Sequence, residues 1–276
     1  MRHILPIFMA LALLGASEAA AQRLVILHTN DVHSHIETER VGKYRNLAGV
    51  ERRLQFIDSM RRRYGADKVL LLDGGDYNQG TPYYTLLHGE VEVELNNIMG
   101  YDVATLGNHE FDDGQEVLAR RLKKARYQTI TCNYDFSATP LRRIVKPYTI
   151  VKRGGMKIGI IGVTSYLEGN VMRAHTEKLV RLNTIDEVNR WADYLRNRRG
   201  CDLVILLSHL GFEGGSMDRP SDVIVARNSR NLDLIIGGHS HTLLKEAREE
   251  RDLDGKIIPI VQSGEWGVRV GVLEIE

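Results

Sequence analysis

The chain has 276 residues, 43% of them hydrophobic, with 37 lysines and arginines against 36 aspartates and glutamates. That much apolar material in a chain of this length buries a sizeable core, which excludes a structureless tail. A net charge of +1 provides no field for holding a polyanion nonspecifically, which excludes a histone-like nucleic-acid binder.

From the N-terminus, Arg2 and His3 precede an apolar stretch from Ile4 to Leu14, and Ala19, Ala20 and Ala21 come after it. Charge, apolar run and small residues in that order are the pattern of a secretory signal peptide over residues 1–21. The apolar run falls well short of the roughly 20 residues a membrane-spanning helix needs, so no membrane anchor is expected. The expectation is an exported protein, periplasmic or extracellular, with a mature chain of 22–276. Cys132 and Cys201 stand far apart beside apolar segments and read as buried small hydrophobes, not as a disulfide framework.

Six short apolar runs come next in chain order: Leu24–Leu27, Val69–Leu72, Asp102–Thr105, Ile158–Val163, Leu203–Leu207 and Leu232–Ile236. They read as buried strands. Between the first two, Leu47, Val50, Leu54 and Ile57 recur at helical spacing. Thr184 and Glu187 read as a capping box ahead of Ile185, Val188, Trp191 and Leu195. Strand alternating with helix predicts a single α/β domain with crossover helices on both faces of a sheet. Ile257–Val261 and Val268–Ile275 read as late strands that pair with each other, and the charged stretch Glu246–Asp254 as a solvated loop.

The chemistry lies in the loops at the ends of these runs. The first run leads into Asp31 and His33, the second into Asp73, Gly74, Gly75 and Asp76, and the third into Gly107, Asn108, His109, Glu110 and Asp112. The two last lead into His209 and into Gly237, Gly238, His239 and His241. In an open α/β sheet the carboxyl ends of parallel strands line one edge, so residues more than 200 positions apart are expected to meet in one crevice. Asp31/His33 and His239/His241 are i, i+2 pairs that in extended backbone project to one side, each able to grip a cation. A mixed Asp, His and Asn set without thiolates suits a catalytic divalent site over a closed structural zinc site. The glycines let the backbone turn where a Cβ would clash. Singly, a DxH is as readily a capped turn and a GGD a strand-terminating turn; five such loops at five strand ends make the metal reading the stronger. His28 is expected to be packed at a strand end, and His35, His88 and His175 to be surface groups. Asp73 reads equally as a turn-forming carboxylate and as a partner that fixes the tautomer of a ligand histidine. Glu110 and Asp113 are expected to cap a helix beginning near Gly114.

These segments, ILHTNDVHSHIE at 26–37, LLDGGDYNQGTPYY at 71–84, GNHEFDDG at 107–114, LSHLG at 207–211, GGHSHT at 237–242 and IVQSGEWG at 260–267, resemble the calcineurin-like metallophosphoesterase superfamily, and within it the bacterial 5′-nucleotidase family. The resemblance implies a four-layer αββα sandwich holding two divalent ions, zinc, manganese, iron or cobalt. By it Asp31, His33 and His241 hold one ion, Asn108, His209 and His239 the other, and Asp76 bridges them. His109, oriented by Asp112, contacts the phosphate. It further implies cleavage of a nucleotide or other small phosphoester by in-line attack of a hydroxide shared between the ions. Typical members carry a second domain that stacks the nucleobase; this sequence runs to Glu276 immediately after the last strand, so the expectation is a domain at 22–276 with no C-terminal nucleotide-binding domain. Two enzymatic readings follow, a self-sufficient phosphohydrolase and a catalytic half served by a separately encoded nucleotide-binding domain. A metal-binding docking module is the third reading, and it leaves His109 and Asp112 without a use.

Overall fold

The structure is a computed structural model that describes residues 24–40 and 42–275. The expected leader at 1–21 lies outside the described residues. No helix among them is long and apolar enough to cross a membrane.

The described residues contain thirteen strands: β1 Leu24–Thr29, β2 Val69–Asp73, β3 Val103–Thr105, β4 Gln128–Ile130, β5 Tyr134–Asp135, β6 Tyr148–Arg153, β7 Met156–Val163, β8 Val180–Arg181, β9 Leu203–Ser208, β10 Leu234–Ile236, β11 Arg248–Arg251, β12 Ile257–Val261 and β13 Gly271–Ile275. They form a five-stranded sheet ordered β13-β1-β2-β3-β4, a six-stranded sheet ordered β11-β12-β10-β9-β7-β6, and a small β5-β8 ribbon. The expected strands are therefore present, but in two sheets.

Alternation along the strands stacks these sheets. Leu24, Ile26, Leu70 and Leu72 from one sheet pack against Ile158, Ile160, Leu203, Ile205 and Leu207 from the other. The intervening residues face outward. Val25, Leu27, Val69 and Leu71 meet Ile57 and Met60 of the helix Val50–Tyr64. Ile161, Val163, Val204 and Leu206 meet Val188, Ala192 and Leu195 on the opposite side. Strands covered on both faces carry no polar alternation, which is why they read as continuous apolar runs. The result is the αββα sandwich. Cys132 and Cys201 are buried free thiols.

Four local expectations are corrected. The two late strands do not pair: β12 runs parallel to β10, whereas β13 runs antiparallel to β1 with Leu24 opposite Ile275. The segment between them is pulled across to the β1 loop, where Asn30 Nδ2 donates to Gly264 O at 2.7 Å and Trp266 N–H to Asp31 O at 2.6 Å. The charged stretch at 246–254 contains β11, an edge strand on β12; Arg248, Glu249 and Arg251 are exposed and blunt the edge, whereas Glu250 is buried and paired with Arg227. Helix Thr184–Asp193 is capped one residue earlier than the capping box implied, by Asn183, which accepts from Asp186 N–H at 3.1 Å; Thr184 is buried and accepts from Asn133 Nδ2. Helix Gly114–Leu122 does begin where expected, but Asp113 makes no capping hydrogen bond and Glu110 points into the interior.

A candidate metal centre at the strand ends

β1, β2 and β3 are mutually parallel, as are β7, β9, β10 and β12, so the loops after β1, β2, β3, β9 and β10 emerge on one edge of the sandwich. The loops are laced together by their backbones. Gly74 N–H donates to Thr29 O at 2.8 Å, Asp31 N–H to Gly75 O at 2.9 Å and His33 N–H to Asp76 O at 2.9 Å. From β10, His239 N–H donates to Asp31 Oδ2 at 2.9 Å.

Side chains from separate loops meet in two groups. Ligand atoms of Asp31, His33 and His241 lie within 4.8 Å of one another, as do those of Asp76, His209 and His239. A third, overlapping group joins His33, Asp76 and His109. Asp31 lies between the groups, its Oδ1 3.4 Å from His241 Nε2 and 3.9 Å from His209 Nε2. Asn108 is buried in the same loop as His109, its Oδ1 accepting from Ser165 Oγ at 3.1 Å. His109 Nδ1 is 2.7 Å from Asp112 Oδ2.

The i, i+2 pairs do not achieve this from extended backbone. Asp31, His33, His239 and His241 have φ of 51°, 50°, 73° and 53°, and Asp76 has 54°. All five are left-handed, a conformation that costs a non-glycine residue about 1–3 kcal/mol and persists where surrounding bonds enforce it. The laced loops are that enforcement. Gly107 and Gly238 answer to the expected close approaches: a Cβ on Gly107 would strike the Asp76 carboxylate, and one on Gly238 would sit 2.8 Å from Gly74 O.

The electrostatics suit a cation. Burial opposes ionisation of Asp76, yet the neighbouring imidazoles, His209 first among them, pull its pKa well below the ordinary carboxylate range. Burial likewise opposes charge on His209, and Asp76, with Nε2 at 2.8 Å from its carboxylate, overrides this and lifts the imidazole to about 10. A site that holds a proton this firmly between acceptors offers the same acceptors to a metal. His209 Nδ1 faces Gly74 O at 2.7 Å, which leaves Nε2 as the ligand nitrogen in the neutral ring. Burial lowers His239 to about 4 and also lowers His33, so both are neutral and able to ligate. His241 is raised by its contact with Asp31, and its Nδ1 lies 2.8 Å from Glu265. For His109, burial lowers the pKa but the hydrogen bond to Asp112 and the charge of Asp76 prevail, so the net shift is upward.

Several residues that position these groups carry no ligand signature of their own. Glu110 accepts from Gly107, Asp76 and Asn78 backbone N–H groups and ties the β2 loop to the β3 loop. Asn30 donates to Asp31 Oδ2 at 2.6 Å. Gln262 donates to Gly238 O at 2.8 Å and accepts from Ser240 Oγ at 3.1 Å, fixing the His239–His241 turn. Asp222 accepts from Ser208, and burial pushes its carboxyl up to about 7. The available sequence signal for Asn30 and Gln262 was their place directly after a strand. Asp73 is settled as the turn former, accepting from Thr29 Oγ1 at 2.6 Å and Gly75 N–H at 3.0 Å. His28 is buried as expected, and His88 is exposed. His35 is not a surface group: it stacks on Trp266 at 4.2 Å and pairs with Glu39, and His175 packs half-buried against Gly114.

The chain is 33% identical to human 5′-nucleotidase over 94% of its length, and 32% identical to Vibrio cholerae 5′-nucleotidase over 100%. Among solved structures, the 5′-nucleotidase precursor of Thermus thermophilus superposes with a TM-score of 0.82 at 31% identity, covering 92% of this chain and 51% of that one. The chain spans about half the length of these relatives, 47% of the human and 54% of the Vibrio protein. Residues 24–243 match the calcineurin-like phosphoesterase family, which takes in β1 to β10 and the loops that converge after them, and the chain belongs to that family.

Proposed function

We propose that this domain is a divalent-metal-dependent hydrolase of phosphate monoesters, 5′-nucleotidase-like, with Asp31, His33 and His241 holding one ion, Asn108, His209 and His239 the other, and Asp76 shared. The observation that carries the reading is the pair of interleaved carboxylate–imidazole groups with the His109–Asp112 pair beside them. The donor set fits: oxygen and imidazole nitrogen without thiolate, and the Nε2 atoms of His33 and His241 converging to 3.0 Å beside the Asp31 carboxylate. A pair of divalent cations there would supply Lewis-acid charge to the phosphoryl oxygens and an activated water as nucleophile.

The protein's own part follows from positions and protons. Asp112 holds His109 Nδ1, which fixes the ring and favours its protonated form. Nε2–H is then a donor for charge developing on a phosphoryl or leaving oxygen. The bond to Asp112 engages His109 Nδ1 and distinguishes this ring from His33 and His239, which burial favours in the neutral form.

The relatives support the phosphoester substrate class, and nucleotides in particular. A second reading is a catalytic half served by a separate nucleotide-binding partner. Release of phosphate by residues 22–276, loaded in turn with zinc, manganese, iron and cobalt, tests both on AMP, a UDP-sugar, a cyclic nucleotide and an aryl phosphate. Aryl phosphate cleaved with AMP untouched favours the partner; no turnover despite two bound ions overturns the enzymatic reading. The leader-like segment at 1–21 supports export, checked by fractionating cells that express the full chain.

A further inference from the structure

A second hollow opens beside the metal centre, and phosphoester cleavage at the centre leaves it unused. His239, Thr164, Ser165 and Tyr166 after β7, Arg181 of β8, Asp218 and Arg219 are among the residues that line it. Ser165 joins it to the centre through its hydrogen bond to Asn108. Its volume is about 90 Å³. A space of this size has room for a phosphate or a short carboxylate.

The wall carries two guanidiniums and one carboxylate, that of Asp218. Two guanidiniums lie over the Tyr166 ring, Arg219 at 3.6 Å and Arg181 at 4.7 Å from its centroid. Arg181 is engaged, donating to Asp218 through the carbonyl at 2.8 Å and the carboxylate at 2.9 Å. Arg219 is not. Among the described residues it forms no ion pair, and its one donated hydrogen bond comes from the backbone N–H, to Ser216 Oγ at 3.2 Å. Stacking on the ring sets the plane of the guanidinium and leaves its edge N–H groups free, in the fork that matches an oxyanion. Thr164, also in the lining, has a buried Oγ1 with no hydrogen-bond partner.

We infer that this pocket binds a second anionic group of the substrate, a phosphate or carboxylate carried by the alcohol esterified to phosphorus, and that Arg219 recognises it. The inference rests on the phosphoesterase reading and narrows its substrate class. The test compares kcat/KM for propanediol bisphosphate, phosphoglycerate and phenyl phosphate, in the metal-loaded full chain and in Arg219→Ala. The wild type is expected to prefer an anionic ester to phenyl phosphate, with bisphosphate against phosphoglycerate telling phosphate from carboxylate. Arg219→Ala is expected to cut that preference about tenfold, through KM, with Arg219→Lys restoring part of it. A wild type that favours neither anionic ester, or a preference that survives Arg219→Ala, overturns the inference. If metal binds but neither the three esters nor the nucleotides named above are cleaved, the phosphoesterase reading fails by itself. The pocket is then judged by calorimetric titration with inorganic pyrophosphate: weaker binding to Arg219→Ala supports it, and equal affinity overturns it.

Discussion

Glu110 offers the sharpest test of how the strand-end loops are held. Its carboxylate is fully buried and accepts three backbone N–H groups, from Gly107 at 2.6 Å, Asp76 at 2.9 Å and Asn78 at 3.3 Å. In Glu110→Ala those three donors stay in place without an acceptor and without water. Each unpaired buried donor costs about 1–3 kcal/mol, so three cost about 3–9 kcal/mol, toward the lower end because the longest bond contributes least. Part is offset, because burying the charge is itself unfavourable: desolvation pushes the Glu110 carboxyl up to about 7. The net expectation is a destabilisation of about 2–4 kcal/mol, a large share of the roughly 5–15 kcal/mol typical of a folded domain. Glu110→Gln keeps the shape and one acceptor oxygen but turns an amide N–H toward a backbone donor, and should cost about 1–2 kcal/mol. Denaturant unfolding of both variants after metal removal, at pH 8 where the wild-type carboxylate is ionised, measures this directly. Asp76 loses its backbone anchor at the same time, so metal affinity should fall about 10–100-fold in Glu110→Ala. Unfolding free energies for Glu110→Ala within about 0.5 kcal/mol of wild type would refute the reasoning.

Asp76→Ala should lose bound metal and activity together, whereas His109→Ala should keep its metal and lose about 10²–10³ in kcat; elemental analysis beside turnover separates the two, and an active, metal-replete His109→Ala removes the assignment. Glu265 receives His241 Nδ1 on one oxygen and Lys43 Nζ on the other, both at 2.8 Å, so Glu265→Ala should free the His241 ring and weaken one of the two ions about 10–100-fold, read as a selective loss in metal titration. His28 is fully buried away from the metal loops, and burial lowers its pKa to about 4. The unfolded chain therefore binds a proton that the folded chain refuses as pH falls below about 6.5, and stability drops by about 3 kcal/mol between there and pH 4. In His28→Gln the pH dependence of unfolding across that window should flatten by this amount; an unchanged slope contradicts it.

How much of this was legible in the chain differs from residue to residue. β1, β2, β9 and β10 announced themselves because strands sealed on both faces must be apolar at every position, and the ligand-bearing loops announced themselves because Asp, His and Asn crowded after each strand have little other use. The convergence of Asp31, Asp76, His209 and His239 follows from parallel strands alone. What the chain did not reveal is partnership. β12 and β13 look like a hairpin by proximity, yet Asn30 and Trp266 draw the intervening segment across to β1, a choice made by bonds between residues more than 200 positions apart. Glu110 looks like a helix cap by position and is a buried bracket between two loops. The left-handed backbone at five of the candidate ligand residues is likewise invisible in sequence, since nothing local favours it. Residue type and spacing thus determine which groups are present and at which edge they emerge. Orientation was decided only by tertiary structure, because hydrogen bonds between distant loops hold each side chain in a conformation that its own segment would not adopt.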